Sequence, residues 1–461
     1  MFERYHVSMT PAPNRAPPVP KFVITRASNC VNCGKCEKAC IYGVHERSKK
    51  DPREMADPLS HLCKNCFRCV ADCPQRALTM SVGPEYRTLG RGLWTSQRIA
   101  TVWGEAETGK IPVLGAGYRG PFAGPNFDGM WTDMSEIVRP TRDGIHGREF
   151  ISTSVDIGAK PLSLEFDKDG GLVTSPPDVI ELPVPTVLDI SRMRTTTENT
   201  VTGFAMAAKE LGTLMFVPYG IISFNILEAA RGNIVPVYPE SVKVDMMKLP
   251  EGTRMAEVHM GQGWRETAKG FENLHPGVIL SIRVRAGQGV ERKVVELAQH
   301  GAAVVHVDYD RQGMEEGSDA RHVMHSLRSI HKALAAEGIR DRVTVISGGG
   351  IAAAEHVPKT VICGADVVAV ERALVIALEC RNCITCSRGS CPINLQGAEP
   401  DWVRARTVNM IGAWRDQMLE MMGAMGIREV RRLRGEVGRA IFFDDLERDM
   451  LTVLTGGAKH A

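Results

Sequence analysis

The stretch that decides the fold runs from residue 343 to residue 391 and reads VTVISGGGIAAAEHVPKTVICGADVVAVERALVIALECRNCITCSRGSC. It begins with an apolar, β-branched run from Val343 to Ile346, which predicts a buried strand. A second apolar run, Asp366 to Val370, predicts the next strand. Each strand is followed by a turn of glycines or polar residues, and the two turns comprise Ser347, Gly348, Gly349, Gly350, Glu371 and Arg372.

Two such turns after consecutive strands indicate a phosphate-binding site, because they expose backbone N–H groups at a helix N-terminus. In a (β/α)8 barrel this site follows strands 7 and 8. The alternative is that Gly348 to Gly350 form only a loose turn. One predicted helix, Ala373 to Glu379, separates the turns from a run of Cys380, Cys383, Cys386 and Cys391. A phosphate-bearing redox cofactor would therefore lie close to a metal cluster.

The cysteine content is the unusual feature of a composition that is otherwise typical of globular proteins. The chain has 461 residues, enough for two or three domains, and a net charge of +2, which gives no nucleic-acid footprint. Of its 13 cysteines only Cys363 stands outside three tight runs, and we predict that it is buried among apolar residues. No signal peptide follows Met1, and no apolar stretch is long enough to span a membrane. We expect a cytoplasmic protein, in which clustered cysteines bind metal.

Two runs near the N-terminus share the spacing C-x2-C-x2-C-x3-C and are formed by Cys30, Cys33, Cys36 and Cys40 and by Cys63, Cys66, Cys69 and Cys73. The short spacings let three thiolates contact one face of an iron–sulfur cube, and the x3 step directs the fourth thiolate toward a second cube. Zinc is the alternative metal, but it usually binds separated cysteine pairs.

This segment resembles the bacterial two-cluster ferredoxin module. The resemblance implies two [4Fe–4S] clusters, one held by Cys30, Cys33, Cys36 and Cys73, the other by Cys63, Cys66, Cys69 and Cys40. Two departures are visible. Ile41 stands where the module usually has proline, and the loop between the runs is enlarged by Glu46 to Asp57. Neither departure removes a ligand, and such a module carries single electrons without performing bond chemistry itself.

The region after this module contains a glycine motif that we do not interpret as a nucleotide site. Gly115 to Gly120 formally matches G-x-G-x-x-G, but Pro121 and the pair Gly124-Pro125 prevent the helix that must follow. For His146 and Arg148 a surface hydrogen-bond network is favoured over ligand binding.

Apolar runs alternate with helical patterns after residue 184. The predicted strands are Pro185 to Ile190, Thr213 to Val217, Ile234 to Tyr238, Ala256 to Met260, Val278 to Val284, Ala303 to Asp308, Val343 to Ile346 and Asp366 to Val370. The predicted helices include Glu198 to Leu211, Val290 to His300 and Ala320 to Glu337. Nearly continuous β-branched strands are typical of strands covered on both faces, so the pattern predicts an α/β fold with a parallel (β/α)8 TIM barrel.

Polar residues gather at the predicted ends of these strands, where barrel enzymes carry their chemistry. They are Asp189, Ser191, Gly261, Gln262, Gly263, Arg283, Arg285, Asp308, Asp310, Arg311 and the two turns described above. Arginines in this position could bind an anionic flavin ring and a carboxylate substrate. For any one of them a salt bridge on the barrel rim is the alternative.

At this point the chain resembles the FMN-binding domain of glutamate synthase, in the short form with an N-terminal ferredoxin module. The segment Met260 to Gly263 is similar to the family's strand-end G-Q-G, and Gly348 to Gly350 with Ala365 to Arg372 are similar to its FMN phosphate turns. The spacing of Cys380, Cys386 and Cys391 is similar to that of its [3Fe–4S] ligands. Cys383 is an extra cysteine, and its engagement would instead allow a third [4Fe–4S] cluster.

The resemblance implies an iron–sulfur flavoenzyme that passes electrons through the clusters to FMN and reduces the imine of a 2-oxo acid, making glutamate from 2-oxoglutarate and ammonia. From the strand ends and this resemblance together we predict two sets of site residues. The predicted cofactor-binding residues are Asp189, Ser191, Gln262, Arg283, Ser347, Gly348, Gly349, Gly350, Glu371 and Arg372, and the predicted catalytic residues are Gln262, Arg283 and Arg311. An electron-transfer subunit, in which FMN passes electrons to a partner without amino-acid synthesis, is the alternative.

Several positions around the family's substrate site depart from its pattern. Trp264 to Glu266 replace the residues that usually follow G-Q-G, Asp308 to Gly313 replace a Gly-His-Asp-Gly-Gly loop, and Arg283 stands at a lysine position. We expect this chain to supply no N-terminal nucleophilic cysteine, dinucleotide-binding fold or amide-channel domain of its own. We therefore expect a redox partner subunit or ferredoxin, and possible glutaminase and NAD(P)H-oxidising subunits, in an oligomer or hetero-complex.

The expected domain organisation has five parts. They are a Pro-rich arm or strap (1–28), the two-cluster ferredoxin-like domain (29–82), a linking region (83–184), the barrel with the third cluster (185–395) and a helical C-terminal tail (396–461). In the tail, Trp402 to Met425 predicts a Met-rich packing helix, and Arg428 to Arg439 predicts a solvated, basic helix face.

Overall fold

The computed structural model describes residues 5–111, 124–132, 150–175, 178–193, 196–383, 391, 393 and 395–454. The glycine motif at Gly115 to Gly120, together with His146, Arg148 and Cys386, lies outside the described residues. Within the described part of the chain, no helix is both long and apolar enough to cross a membrane.

The N-terminal cysteine runs lie beside a two-stranded antiparallel sheet. Strand β1 (Phe22–Arg26) pairs with β2 (Leu78–Val82), and two short helices, α1 (Lys35–Ala39) and α2 (Arg68–Ala71), lie between them in sequence. The apolar core here is small, with four buried members: Ile24, Val44, Cys69 and Leu78.

The linking region contributes short elements that pack around the barrel. They are α3 (Pro84–Arg87), α4 (Ser96–Thr108), β3 (Met130–Thr132), β4 (Val155–Ile157) and β5 (Ile180–Leu182). Strands β4 and β5 form an antiparallel pair. Thr95 caps α4, because its hydroxyl accepts a hydrogen bond from the backbone N–H of Arg98.

Eight parallel strands close into a barrel, which confirms the predicted fold class. In chain order they are β6 (Thr186–Asp189), β7 (Met215–Pro218), β8 (Ile234–Tyr238), β9 (Met255–His259), β10 (Ile279–Arg285), β11 (Val304–Asp308), β12 (Thr344–Gly348) and β13 (Val367–Val370). All eight predicted strands are present, with bounds shifted by at most two residues at each end. The barrel closes between β13 and β6, where Val368 pairs with Thr186.

An α-helix follows seven of the eight barrel strands, whereas β8 is followed by the 3-10 turn Val244–Met246. The helices are α5 (Glu198–Glu210), α6 (Phe224–Ala230), α7 (Trp264–Leu274), α8 (Val290–Gln299), α9 (Val323–Ala336), α10 (His356–Ile362) and α11 (Arg372–Ala377). Cys363, directly after α10, is fully buried, as predicted.

The C-terminal part consists of α12 (Pro400–Met425), β14 (Ala440–Phe442), which pairs with β3, and α13 (Phe443–Leu454). Helix α12 buries Met418, Met422 and Met425, as its Met-rich pattern predicted. The prediction of one solvated basic helix over 428–439 is wrong. That segment forms two 3-10 turns, Val430–Leu433 and Val437–Arg439, because its apolar members Val430 and Leu433 are buried against the barrel.

The N-terminal arm lies as a strap across α4 and α12. Thr10 and Asn409 exchange two hydrogen bonds, and the indole of Trp402 donates to the carbonyl of Pro13. The guanidinium of Arg406, which is fully buried, donates to the carbonyls of Ala12 and Ala377. The strap therefore connects the N-terminus to the helix that precedes the third cysteine run.

Candidate functional site

The turns that begin the two N-terminal cysteine runs share an unusual backbone conformation. Asn32 and Asn65, each directly before the second cysteine of its run, have positive φ angles of 54° and 62°. The backbone N–H of Asn65 donates to Cys63 Sγ at 3.5 Å. Such a left-handed residue tightens the turn, so the thiols on either side of it can converge on one metal site.

Cysteines from both runs, among them Cys40 and Cys63, pack against the small apolar core of this module. Burial raises the pKa of Cys69 to about 11, and the neighbouring Cys63, Cys40 and Cys66 add to the rise. Cys40 therefore lies near three cysteines of the second run, which is the grouping that the ferredoxin resemblance implies. Their role as ligands stays a prediction.

The enlarged loop between the two cysteine runs directly contacts the turn at Asn32. Arg47 donates to the carbonyl of Asn32 at 2.8 Å, and the backbone N–H of Met55 donates to Asn32 Oδ1 at 3.2 Å. An antiparallel bridge joins Arg47 to Met55. The insertion thus stabilises the left-handed conformation of Asn32.

The third cysteine run begins where α11 ends. Glu379 has a φ of 69°, and the backbone N–H of Cys380 donates to the carbonyl of Val375 at 3.1 Å. Asn382 has a φ of 51°, and its backbone N–H donates to Cys380 Sγ at 3.4 Å. Cys380 and Cys383 are half-buried, and Cys391 is exposed.

A buried ionic network fills the barrel at the carboxyl ends of β6, β9, β10 and β11. Arg283 on β10 is its centre. Its Nη2 lies 2.9 Å from Asp189 Oδ2, its Nε lies 2.6 Å from Glu257 Oε1, and its Nη1 donates to Ser191 Oγ at 2.8 Å. The side chains of Arg283 and Glu257 are fully buried.

The charges in this network set the pKa values of its carboxyl groups. Burial alone would raise the pKa of Asp189, but the charge of Arg283 and the hydrogen bonds from Ser191 help to outweigh it, and the pKa is lowered to about 2. The same balance lowers the pKa of Glu257. Burial lowers the pKa of Arg283, but the carboxylates of Asp189 and Glu257 outweigh it and raise that pKa. Arg283 is therefore a permanent cation held between two carboxylates.

His306, in the middle of β11, extends the network toward β12. Its Nδ1 lies 2.9 Å from Glu257 Oε2, which also accepts a hydrogen bond from Ser281 Oγ at 2.9 Å. Its Nε2 is buried and has no hydrogen-bond partner among the described residues, and the same holds for Asp308 Oδ1. Both atoms face Gly348, where an added Cβ would lie 2.8 Å from His306 Nε2 and 3.7 Å from Asp308 Oδ1.

A second arginine bridges the strand ends at the rim. Arg192 lies 3.0 Å from Asp308 Oδ2 and 2.5 Å from Glu371 Oε2. Burial raises the pKa of Asp308, and this effect exceeds the lowering by Arg283 and Arg192. The network contains more carboxyl groups than arginines. The arginines are Arg192 and Arg283, and the carboxyl groups are those of Asp189, Glu257, Asp308 and Glu371.

The glycine turn after β12 is closely packed. Gly349 has a φ of 97°, and a Cβ there would lie 2.6 Å from the carbonyl oxygens of Tyr309 and Asp310. Gly350 has a φ of 73°, and a Cβ there would lie 2.5 Å from Gly313 Cα. These two positions therefore require glycine for packing, and a phosphate site at this turn stays a prediction. Alternation along β12 directs Ser347 away from the side that Gly348 faces, and its buried hydroxyl lacks a partner among the described residues.

Sequence reasoning identified part of this site. The structure brings Asp189, Ser191 and Arg283 together with Glu371 and Gly348 through the network. Gln262 and Arg311 are exposed on loops after β9 and β11. No described contact joins Gln262 to the network. The catalytic roles of Gln262 and Arg311 stay predictions.

Three network members were missed: Arg192, Glu257 and His306. Arg192 follows two predicted site residues, so the strand-end rule could have included it. Glu257 and His306 lie inside strands that are otherwise apolar up to their last residue, MAEVH and VVHVD. A charged or titratable residue in a predicted buried strand is the signal that could have found them, because such a group requires a partner.

The closed parallel barrel, with charged side chains gathered at one end, defines an enzyme of the (β/α)8-barrel class. Residues 266–428 match the sequence profile described as the conserved region in glutamate synthase. This part of the chain, which includes the second half of the barrel, is therefore similar to the glutamate synthase family.

Two relatives are similar over most of their length. The archaeal-type glutamate synthase [NADPH] of Dehalococcoides mccartyi is 24% identical over 90% of this chain and 94% of its own. The archaeal glutamate synthase [NADPH] of Archaeoglobus fulgidus is 24% identical over 95% and 98%.

Solved structures give a weaker likeness. A mutant flavocytochrome b2 with benzoylformate has a TM-score of 0.44 at 13% identity, over 67% of this chain and 75% of that one. A mandelate oxidase mutant with a monooxide FMN adduct has a TM-score of 0.43 at 14% identity, over 77% and 95%.

Proposed function

We propose that this chain is a glutamate synthase-type oxidoreductase that reduces the imine of a 2-oxo acid, converting 2-oxoglutarate and ammonia to glutamate. The observation that carries the proposal is the similarity to relatives named glutamate synthase over at least nine-tenths of both chains. It covers the cysteine runs and the barrel together, as one electron-transferring enzyme would require.

FMN is the proposed cofactor at the carboxyl end of the barrel. When bound, it would supply hydride transfer to the substrate carbon. His306 Nε2 and Asp308 Oδ1 fit such a ligand, because they are buried polar atoms that need a partner from outside the described protein. The proposed phosphate contacts are backbone N–H groups of the turns at Gly348 to Gly350 and Glu371-Arg372.

Arg283 and Glu257 would serve to position His306. Glu257 accepts hydrogen bonds from Arg283 and Ser281, so its remaining acceptor capacity faces His306 Nδ1. A carboxylate beside Nδ1 requires a proton on that nitrogen, which leaves Nε2 as the atom that can take up or release a proton. His306 is therefore our candidate for proton transfer to a substrate nitrogen or oxygen.

Iron–sulfur clusters are the proposed electron carriers. Soft thiolates in tight, repeated spacings fit iron–sulfur clusters, and Cys40 lies among the cysteines of the second run. We propose two [4Fe–4S] clusters in the N-terminal module and one further cluster at the third run. Electrons would enter from a partner subunit or ferredoxin in the cytoplasm.

The direct test uses the full chain, reconstituted without oxygen with iron, sulfide and FMN. It is supplied with 2-oxoglutarate, 15N-ammonium and a chemical reductant, and 15N-glutamate is measured by mass spectrometry. We expect glutamate from the wild-type chain and at least 100-fold less from His306→Ala. Arg285→Met, which alters an exposed ion pair two residues from Arg283, should retain activity. A flavin-replete preparation that forms no glutamate would contradict the proposal.

An electron-transfer subunit is the second candidate. The observation that favours it is the excess of carboxylates around Arg283, which leaves this cation neutralised and repels a dicarboxylate substrate. In that case the reconstituted chain would reduce an artificial electron acceptor through its flavin, but would form no 15N-glutamate in the same preparation.

A further inference from the structure

All three cysteine runs begin with the same four-residue pattern, Cys-x-Asn-Cys. The three copies are residues 30–33 (CVNC), 63–66 (CKNC) and 380–383 (CRNC). In the first two copies the second cysteine, Cys33 or Cys66, is a proposed cluster ligand. In the third copy it is Cys383, which has no counterpart among the three ligands that the family resemblance implies.

The three copies also share one backbone conformation. The asparagines Asn32, Asn65 and Asn382 have φ angles of 54°, 62° and 51°. In the second copy, the backbone N–H of Asn65 donates to Cys63 Sγ at 3.5 Å. In the third, the backbone N–H of Asn382 donates to Cys380 Sγ at 3.4 Å. The third turn therefore matches a proposed ligand turn both in conformation and in its N–H···S contact.

This conformation has a cost that a non-ligand cysteine would not explain. The left-handed conformation is sterically disfavoured for residues other than glycine, although asparagine tolerates it better than most. The turn shortens the path between the two cysteines, so both thiols can reach one metal site. If Cys383 were only a packing residue, an ordinary right-handed or extended residue could replace Asn382 without loss.

Neighbouring groups fix this turn in place. The backbone N–H of Arg15 donates to Glu379 Oε1, and Arg381 lies 3.6 Å from Glu85 of α3. Arg406 holds the end of α11 through the carbonyl of Ala377. The turn is thus attached to the strap, to the linking region and to the barrel, as a ligand turn between two redox centres should be.

We propose that Cys383 is a ligand of the third cluster and that this cluster is a [4Fe–4S] cluster without an open iron corner. The proposal rests on the proposed iron–sulfur function. Cys380 and Cys383 supply two of its ligands through the described turn, and the other two are assigned from sequence spacing alone.

The test is electron paramagnetic resonance of the full chain, reconstituted with iron and sulfide without oxygen and then mildly oxidised. An oxidised three-iron cluster is paramagnetic, whereas an oxidised four-iron cluster gives no signal. We expect no three-iron signal and about 12 iron atoms per wild-type chain, as three four-iron clusters require. In Cys383→Ser we expect a new three-iron signal of close to one spin per chain. Cys363→Ser, a buried cysteine outside the runs, is the matched control and should behave like wild type.

A second pair of variants tests the turn without removing a thiol. Asn382→Gly retains the left-handed conformation and should retain the four-iron cluster. Asn382→Val disfavours it strongly and should raise the three-iron signal or lower the iron content. Equal spectra for the two variants would contradict the proposal.

Two results would overturn the inference in distinguishable ways. A three-iron signal in the wild type that Cys383→Ser leaves unchanged would remove Cys383 from the ligand set while the proposed function stood. A chain that binds no iron at the third run, with or without Cys383, would overturn the inference together with the proposed electron path.

Discussion

The cysteine module and the barrel specify their sites in opposite ways. In the module the candidate ligands come from short repeated spacings, and the apolar core has only four buried members. In the barrel the core is continuous. The charged site there is assembled from residues that lie on strands far apart in sequence, such as Asp189, Glu257 and Arg283. The module should therefore depend on its metal to fold, whereas the barrel should fold first and then present its site.

The largest expected effect comes from removing iron. A chelator with a reductant, or Cys69→Ser, should unfold residues 22–82, because a core of this size cannot offset the chain entropy. Hydrogen exchange followed by mass spectrometry should show lost protection in β1 and β2. Protection in β10 and β11 should stay unchanged. Equal loss of protection in the module and the barrel, or no loss in either, would contradict the expected difference between the two regions.

The next effect concerns the centre of the barrel network. Arg283→Met should lower the free energy of unfolding by about 3–5 kcal/mol, because Asp189 and Glu257 would remain buried without their cation. Arg285→Met is the matched control on the same strand. Its ion pair with Glu316 is exposed, so it should cost less than about 1 kcal/mol. Urea unfolding of both variants measures the difference, and similar losses would contradict the central role of Arg283.

A smaller loss of stability should follow from filling the space between Gly348 and His306 Nε2. Gly348→Ala would set a Cβ 2.8 Å from His306 Nε2 and 3.4 Å from Ala369 Cβ, so we expect a loss of about 1–3 kcal/mol. Gly104→Ala is the control. Gly104 lies in α4 with no atom within 4 Å of an added Cβ, and the substitution should stabilise the chain by about 0.5–1 kcal/mol. Thermal unfolding should show shifts of opposite sign, and a stabilising Gly348→Ala would be inconsistent with this packing.

The smallest effect is a pH dependence of barrel stability. The pKa of Asp189 is about 2 in the folded chain, below its ordinary value of 3.8, so folding favours the ionised form. Its contribution to stability is therefore present above about pH 4 and is lost as the pH falls through 2. Asp189→Asn should show a shallower decline of unfolding free energy between about pH 4 and pH 2. Parallel pH profiles for the two chains would show that Asp189 is not held ionised by Arg283.

The sequence predicted the barrel well because its signal is local. Each strand, for example Val304–Asp308, is a short apolar run, and each following helix repeats the 3.6-residue pattern. The cysteine spacings are local in the same sense. The structure places Cys40 near Cys69 of the second run, and the grouping of the ligands stays a prediction.

The barrel network could be predicted only in part, because it depends on which distant side chains meet. Arg283 was identified at a strand end, but its pairing with Glu257 and Asp189 arises from barrel closure. The 3-10 turns after α12 were mispredicted for a similar reason. The basic residues suggested a solvated helix, whereas burial of Val430 and Leu433 by tertiary packing decided the conformation.

The central claim is that the clusters deliver electrons to a flavin in the barrel. Rapid-mixing spectroscopy of the chain reconstituted with iron, sulfide and FMN, with reduced ferredoxin as donor, tests it most directly. We predict one FMN per chain, reduced in step with the clusters, and flavin reduction at least 10-fold slower in Cys69→Ser. A chain that binds iron but no FMN, or a flavin reduced equally fast in both proteins, would contradict the account.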